Sequence, residues 1–135
     1  MLLVVDDDEV FRARLARAFQ ARGFQTIEAD SWRTALDGMR QTAPQLAVVD
    51  LRLPDRSGLD VVCDLKALHQ EVNIVVLTGY GSIATALEAV RLGATHYLPK
   101  PAAIDDILGG FARAKLPPGE PLTRFLMQLL GFPST

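Results

Sequence analysis

Cysteine, tryptophan, long apolar runs and a surplus of one charge are what this 135-residue sequence has least of, and each shortage excludes something. Cys63 is the single cysteine, so no intrachain disulfide can form, which suits a reducing cytosol. The formal charge of −2 comes without the clustered Lys and Arg that phosphate-backbone binding needs, so direct nucleic-acid binding is not expected. The N-terminal apolar run, Leu2 to Val5, is far too short for a signal peptide or a membrane span, and acids follow it at once. The expected location is therefore the cytoplasm, away from any membrane. What is present is ordinary: 49% apolar residues exclude disorder, and the length fits one domain with one continuous core.

Five short apolar runs, Leu2–Val5, Gln25–Ala29, Leu46–Val49, Asn73–Leu77 and Thr95–Leu98, alternate with five amphipathic stretches. The first, third and fourth are nearly solid Val, Leu and Ile, the pattern of parallel strands buried on both faces. Between them the period becomes helical. Phe11, Leu15, Ala18 and Phe19 share one helix face, as do Trp32, Ala35, Leu36 and Met39, with Asp30 or Ser31 as candidate N-cap. Ile83, Leu87 and Val90 repeat the spacing, and so do Ile104, Ile107, Leu108 and Phe111. The third helix, about Leu59 to His69, is less cleanly periodic, while Gly23 and Gly93 stop two of the others. Strands alternating with helices at this spacing predict a doubly wound α/β sheet over residues 1–115. Residues 116–121, Leu-Pro-Pro-Gly-Glu-Pro, cannot continue a helix and read as a linker. The tail over 122–135 carries an apolar stripe at Leu122, Phe125, Leu126 and Leu129, too little for a complete effector domain.

Ligands of open parallel α/β sheets bind beyond the carboxyl ends of the strands. Read there, the sequence offers Asp6, Asp7 and Asp8 after the first strand, Asp50 after the third, Thr78 after the fourth, and Lys100-Pro101 after the fifth. Each alone has a bland reading: Asp8 and Asp30 as helix caps, Thr78 as a cap, Lys100 as a solvated charge. Their joint occurrence at successive strand ends favours a site. Carboxylates crowded this closely must either protonate or be neutralised by a cation, and hard oxygen donors suit Mg²⁺. Such a metal commonly serves phosphoryl transfer, with Asp50 as nucleophile and Lys100 and Thr78 able to hold phosphoryl oxygens.

Four segments in this order carry a wider resemblance: Val4-Val5-Asp6-Asp7-Asp8-Glu9; Val48-Val49-Asp50-Leu51-Arg52-Leu53-Pro54-Asp55-Arg56-Ser57-Gly58-Leu59; Val76-Leu77-Thr78-Gly79; and Gly93 through Pro101. Together they resemble the receiver domain of two-component response regulators, over about Leu2 to Ala114. The stretch from Leu77 to Ala86 is especially similar to redox-responding proteobacterial regulators of the RegA/PrrA type. That resemblance implies a flavodoxin-like five-stranded sheet of order 2-1-3-4-5, with helices on both faces. It implies a switch phosphorylated by a sensor histidine kinase on Asp50 in the presence of Mg²⁺, controlling transcription through an effector domain or a partner, with dimerisation on phosphorylation. It further implies Asp6, Asp7, Asp50 and the Arg52 backbone carbonyl around the metal, Thr78 and Lys100 on the phosphoryl group, and Tyr97 as the aromatic switch. The Lys100-Pro101 bond is expected to be cis, a form that X-Pro bonds reach at small cost. Catalysis beyond the chain's own phosphorylation and dephosphorylation is not expected.

One rival is an enzyme. Asp6-Asp7-Asp8-Glu9-Val10 also fits the Asp-x-Asp-x-Val of haloacid-dehalogenase-type phosphatases, with Asp6 as nucleophile and Asp8 as acid. It leaves Asp50 and its Pro-Asp-x-x-Gly loop without a role, and Asp105-Asp106 open a helix rather than end a strand. The Gly-x-Gly-x-x-Ala of Gly79 to Ala84 imitates a dinucleotide fingerprint but follows the wrong strand and adjoins an acidic rim. His69 and His96 read as solvated or capping, Cys63 as core or near-core, Trp32 as packing, and Arg12, Arg14 and Arg17 as a solvated helix face.

Overall fold

The computed structural model of the chain describes residues 1–79 and 83–113. Strands and helices alternate: β1 (Leu2–Val5), α1 (Glu9–Ala21), β2 (Thr26–Ala29), α2 (Trp32–Gln41), β3 (Leu46–Asp50), α3 (Gly58–Leu68), β4 (Asn73–Thr78), α4 (Ile83–Arg91), β5 (His96–Pro99) and α5 (Ile104–Ala112). The strands pair in parallel in the order β2-β1-β3-β4-β5, as the sequence reading has it. Side chains alternate across a strand. One face of the sheet therefore takes Leu3, Val5, Ala47, Val49, Ile74 and Val76 against residues of α2, α3 and α4. The other takes Leu2, Val4, Leu46, Val48, Val75 and Leu77 against α1 and α5. This two-sided burial is why three of the runs are solidly apolar.

The helix ends follow local chemistry. Asp8 caps α1 by accepting the Phe11 N–H (3.0 Å), and Ser31, rather than Asp30, caps α2 through a capping box with Thr34. Gly23 and Gly93 adopt positive φ (94° and 120°) just beyond α1 and α4, where other residues would be strained. The strands are displaced by a residue from the reading at several ends: β3 includes Asp50, β4 includes Thr78, and β5 runs to Pro99, which pairs with Thr78 at the sheet edge. Lys100-Pro101 is cis. No helix among the described residues is long and apolar enough to cross a membrane.

Several packing expectations need correction. The α4 stripe does not face the core: Ile83 (67%), Leu87 (54%) and Val90 (38%) are exposed, and Ala86 and Ala89 are buried instead. Cys63 is exposed, because α3 buries Val61, Val62 and Leu65 on its other side. His69 does lie at the C-cap of α3, its Nε2 2.9 Å from the Met39 carbonyl. His96 is neither solvated nor a cap; it is a half-buried strand residue whose burial pushes its pKa down, with Arg113 adding to the effect. Arg12 is not on a solvated face either, as described below. Trp32 packs partly against the core, and its indole N–H donates to Asp64 (2.7 Å). The expected linker 116–121 and tail lie outside the described residues, as do Tyr80, Gly81 and Ser82.

Asn73 joins the base of the sheet to α5. Its buried amide donates to the Phe111 carbonyl (2.6 Å) and accepts the Thr95 hydroxyl (2.5 Å). Asn73→Ala leaves both groups without that partner, and unsatisfied buried groups cost about 1–3 kcal/mol each. Urea unfolding is expected to show a loss of at least that order.

Candidate functional site

The parallel sheet brings the carboxyl ends of β1, β3, β4 and β5 to one rim, and the charged residues predicted there do converge. Asp6 and Asp50 are nearly fully buried, and Asp7 is exposed beside them. One carboxylate oxygen from each of the three lies within 4.8 Å of the others. Lys100, beyond β5, reaches across the sheet so that its Nζ sits 2.8 Å from Asp6 Oδ2 and 3.3 Å from Asp50 Oδ2. Phe11 supports the ammonium from below, with its ring centroid 4.7 Å away. The lysine is also held through its backbone, since its N–H donates to the Thr78 carbonyl (2.8 Å).

Electrostatics here oppose one another. Burial pushes the Asp6 carboxyl above its ordinary range, against the pull of Lys100 and of the Asp8 N–H, and Asp50 adds to the push. Burial also works against the Lys100 ammonium, but Asp6 and Asp50 outweigh it and hold its pKa above the ordinary value. Lys100 pairs with Asp6 Oδ2 at 2.8 Å, and among the described residues that buried oxygen has no further partner. An oxygen with spare acceptor capacity, inside a cluster of three carboxylates, is the donor set a small hard cation fits.

Three local devices aim these groups, and the sequence reading missed all three. Arg12 is mostly buried and donates from Nη1 to the Asp6 carbonyl (2.9 Å) while pairing through Nε with Glu28 (3.1 Å), so it fixes the turn that carries the acidic pair. The N–H of Arg52 donates to Asp50 Oδ1 (3.1 Å), turning that carboxylate. Gly58 lies against the Asp50 backbone, where a Cβ would stand 2.4 Å from the Asp50 carbonyl oxygen and 2.6 Å from Leu51 Cα. Only the glycine carried a signal, through its fixed distance from Asp50; nothing in the spacing marks Arg12.

The cluster opens into a cleft of about 680 Å³ lined in part by Asp7, Asp50, Arg52, Arg56, Thr85 and Lys100. Arg56 and Thr85 were not foreseen there. Thr78 ends β4 as a buried residue beside the Lys100 backbone. Tyr97 does not line the cleft; it packs, partly buried, on the α2-α3-α4 side of the sheet, its ring 5.7 Å from that of His96. The phosphatase reading fails on geometry: the Asp8 carboxylate is turned to cap α1, and Asp105 opens α5 and pairs with Arg22 (2.9 Å).

A doubly wound 2-1-3-4-5 sheet with two buried aspartates and a lysine at its carboxyl rim defines a flavodoxin-like α/β class. Residues 2–110 match the family described as "Response regulator receiver domain". The chain belongs to that family. It is 49% identical over 119 residues to the acid tolerance regulatory protein ActR of Rhizobium meliloti (88% of this chain, 60% of the relative). It is 54% identical over 106 residues to the photosynthetic apparatus regulatory protein RegA of Rhodobacter capsulatus (78% and 58%). The chain thus spans about three-fifths of the length of these curated relatives. Among solved structures, a response regulator from Burkholderia pseudomallei with a phosphorylated aspartic acid, calcium ion and citrate superposes with a TM-score of 0.77 at 36% identity (99% of this chain, 75% of that one).

The raised Asp6 pKa carries a sign. A carboxyl whose folded pKa lies above its unfolded value favours folding below the unfolded pKa, and that contribution is lost as pH rises through the folded one. Without divalent cation, the chain is therefore expected to gain stability from Asp6 as pH falls from neutral towards the carboxylate range. Asp6→Asn should be more stable than the unsubstituted chain at neutral pH, and this advantage should shrink in mildly acidic buffer. Urea midpoints of both proteins in the two buffers check it; an advantage that grows on acidification would contradict the assignment.

Proposed function

We propose that this chain is a phosphorylation-dependent signalling switch that takes a phosphoryl group from a sensor histidine kinase onto Asp50. The observation that carries the reading is the pair of buried carboxylates, Asp6 and Asp50, held apart by one lysine at the mouth of an open cleft. Asp50 Oδ attacks phosphorus, the bond from phosphorus to the donor breaks, and the donor leaves with the electron pair. Lys100 then balances charge on the new acyl phosphate and orients its oxygens. Asp6, Asp7, Asp50 and the Arg52 carbonyl are the groups that would hold Mg²⁺, which would supply charge neutralisation of the phosphoryl oxygens. The spare acceptor capacity of Asp6 supports this ligand set. The bound groups in the Burkholderia relative, a phosphorylated aspartic acid and a calcium ion, are of the same chemistry.

The output in this reading is a change of surface. The phosphoryl group adds charge and acceptor oxygens at the rim, the Thr78 hydroxyl turns to donate to one of them, and Tyr97 takes up the space that this frees. The exposed Ile83, Leu87 and Val90 offer an apolar face for a second copy or another partner. The whole protein then controls transcription in the cytoplasm through an effector domain or a partner, with residues 1–115 as the receiver, 116–121 as the linker and 122–135 as the tail.

Acetyl phosphate with Mg²⁺, followed by borohydride reduction and peptide mapping, is expected to label Asp50 alone, and Asp50→Asn to abolish the label. Label on Asp6, or retained label in Asp50→Asn, would remove the reading. Thr78→Ala is expected to accept the phosphoryl group yet lose most of the phosphorylation-induced dimerisation. A hydrogen bond to a charged group contributes about 1.5–3 kcal/mol, equivalent to roughly a ten- to hundredfold change in the switching equilibrium. Sedimentation with and without phosphodonor measures it.

A further inference from the structure

The loop between β3 and α3 is tied down more heavily than its exposure suggests. At its base the Gly58 N–H donates to the Leu51 carbonyl (2.9 Å), and Arg52 forms an isolated antiparallel bridge with Ser57. At its tip Asp55 reaches a different element altogether. Its Oδ1 accepts the N–H of Trp32 (3.0 Å) and its Oδ2 the N–H of Arg33 (3.1 Å), the first two amides of α2. Amides in a first helical turn have no partner within their own helix. Ser31 does not fill this need, because its hydroxyl serves Thr34. Oδ1 also accepts the N–H of Arg56 (3.0 Å), which closes the turn at the tip. The Trp32 N–H, ahead of the other backbone donors, holds the Asp55 carboxyl below its ordinary range, so the anchor is ionised. A second contact lies beside it: the Arg56 guanidinium sits 4.2 Å from the Trp32 ring centroid, and the Trp32 indole is fixed to Asp64 of α3.

We propose that Asp55 is a positioning residue for the metal site: by fastening the tip of the β3-α3 loop to the first turn of α2, it holds the Arg52 backbone at the cleft in the geometry that Mg²⁺ requires. The inference rests on the Mg²⁺ reading given under Proposed function. The loop has two fastened ends and little slack between them. Arg52 is paired with Ser57 on one side and donates to Asp50 on the other, so a displaced tip must either break the bridge or turn the Arg52 peptide. Gly58 cannot absorb the movement, because the Asp50 and Leu51 backbones already crowd it. Partners standing behind metal ligands commonly govern affinity in this way without touching the ion.

Trp32 is the single tryptophan of the chain, so its emission reports on the anchor alone. Mg²⁺ is titrated into the full unphosphorylated chain by calorimetry and by Trp32 fluorescence, and borohydride trapping locates the label. Asp55→Ala is expected to weaken Mg²⁺ binding roughly tenfold, the lower end of what such partners usually govern. At saturating Mg²⁺ its label should remain on Asp50 at the unsubstituted yield. Asp55→Asn, which keeps one acceptor oxygen, should fall between the two and serves if the alanine variant folds poorly. Ser31→Ala removes the cap that α2 makes for itself without touching the loop; it should lower the urea midpoint and leave Mg²⁺ affinity unchanged. Unchanged affinity in Asp55→Ala, an equal loss in Ser31→Ala, or Trp32 emission that ignores Mg²⁺ while calorimetry shows binding would each overturn the proposal. An unsubstituted chain that binds no Mg²⁺ would instead remove the metal reading beneath it.

Discussion

Everything at the rim depends on Lys100 standing between Asp6 and Asp50. Two buried carboxylates this close repel each other, and at Asp6 burial pushes the carboxyl above its ordinary range, with Asp50 adding to the push. One ammonium within 2.8 and 3.3 Å of the two offsets part of that cost and leaves the third carboxylate, Asp7, facing solvent. Within the cluster itself the balance is incomplete, since three carboxylates meet one ammonium. In the proposed phosphoryl-transfer reading, that deficit is what would receive a cation and then a phosphoryl group.

The sheet delivers the acids and the lysine, but loops aim them, and here each loop is held by side chains that bond to backbone. Arg12 holds the Asp6 carbonyl, the Asp8 N–H holds Asp6 Oδ1, the Arg52 N–H holds Asp50, and Asp55 holds the first amides of α2. Such bonds fix peptide planes rather than just side chains, which is what carboxylates or carbonyls need in order to converge on one point. A stiff rim around an under-neutralised centre can translate a change of charge into a change of shape.

Much of this was legible in the sequence for physical reasons. Solid apolar runs report burial on both sheet faces, and the chemistry of a parallel sheet must collect at one end, so Asp6, Asp50, Thr78 and Lys100 could be placed together by spacing alone. The displaced strand ends reflect a limit of hydrophobicity: Asp50 and Thr78 pair in the sheet as polar residues, and only hydrogen bonding tells that they belong to it. Arg12 was misread because an arginine on an amphipathic helix looks solvated until its long-range partner Glu28 is known. Cys63 was misread because α3 is apolar around more than one face, which leaves periodicity unable to choose the side that is buried.

The stripe on α4 is the more instructive case. Periodicity finds it, but spacing alone does not say what covers it. The helix instead turns Ala86 and Ala89 inward. Burying a large aliphatic side chain contributes about 1.5–3 kcal/mol, and α4 forgoes this at Ile83 and Leu87. A helix fastened by two alanines has less to lose by shifting than α3, which buries Val61, Val62 and Leu65. It also has apolar surface to gain by being covered. Its first residue lies five positions beyond Thr78, at the end of the strand that meets the Lys100 backbone. A helix that turns only small side chains inward therefore begins where, in the proposed reading, the charge of the rim would change, which is the arrangement a small local event needs in order to move a larger surface.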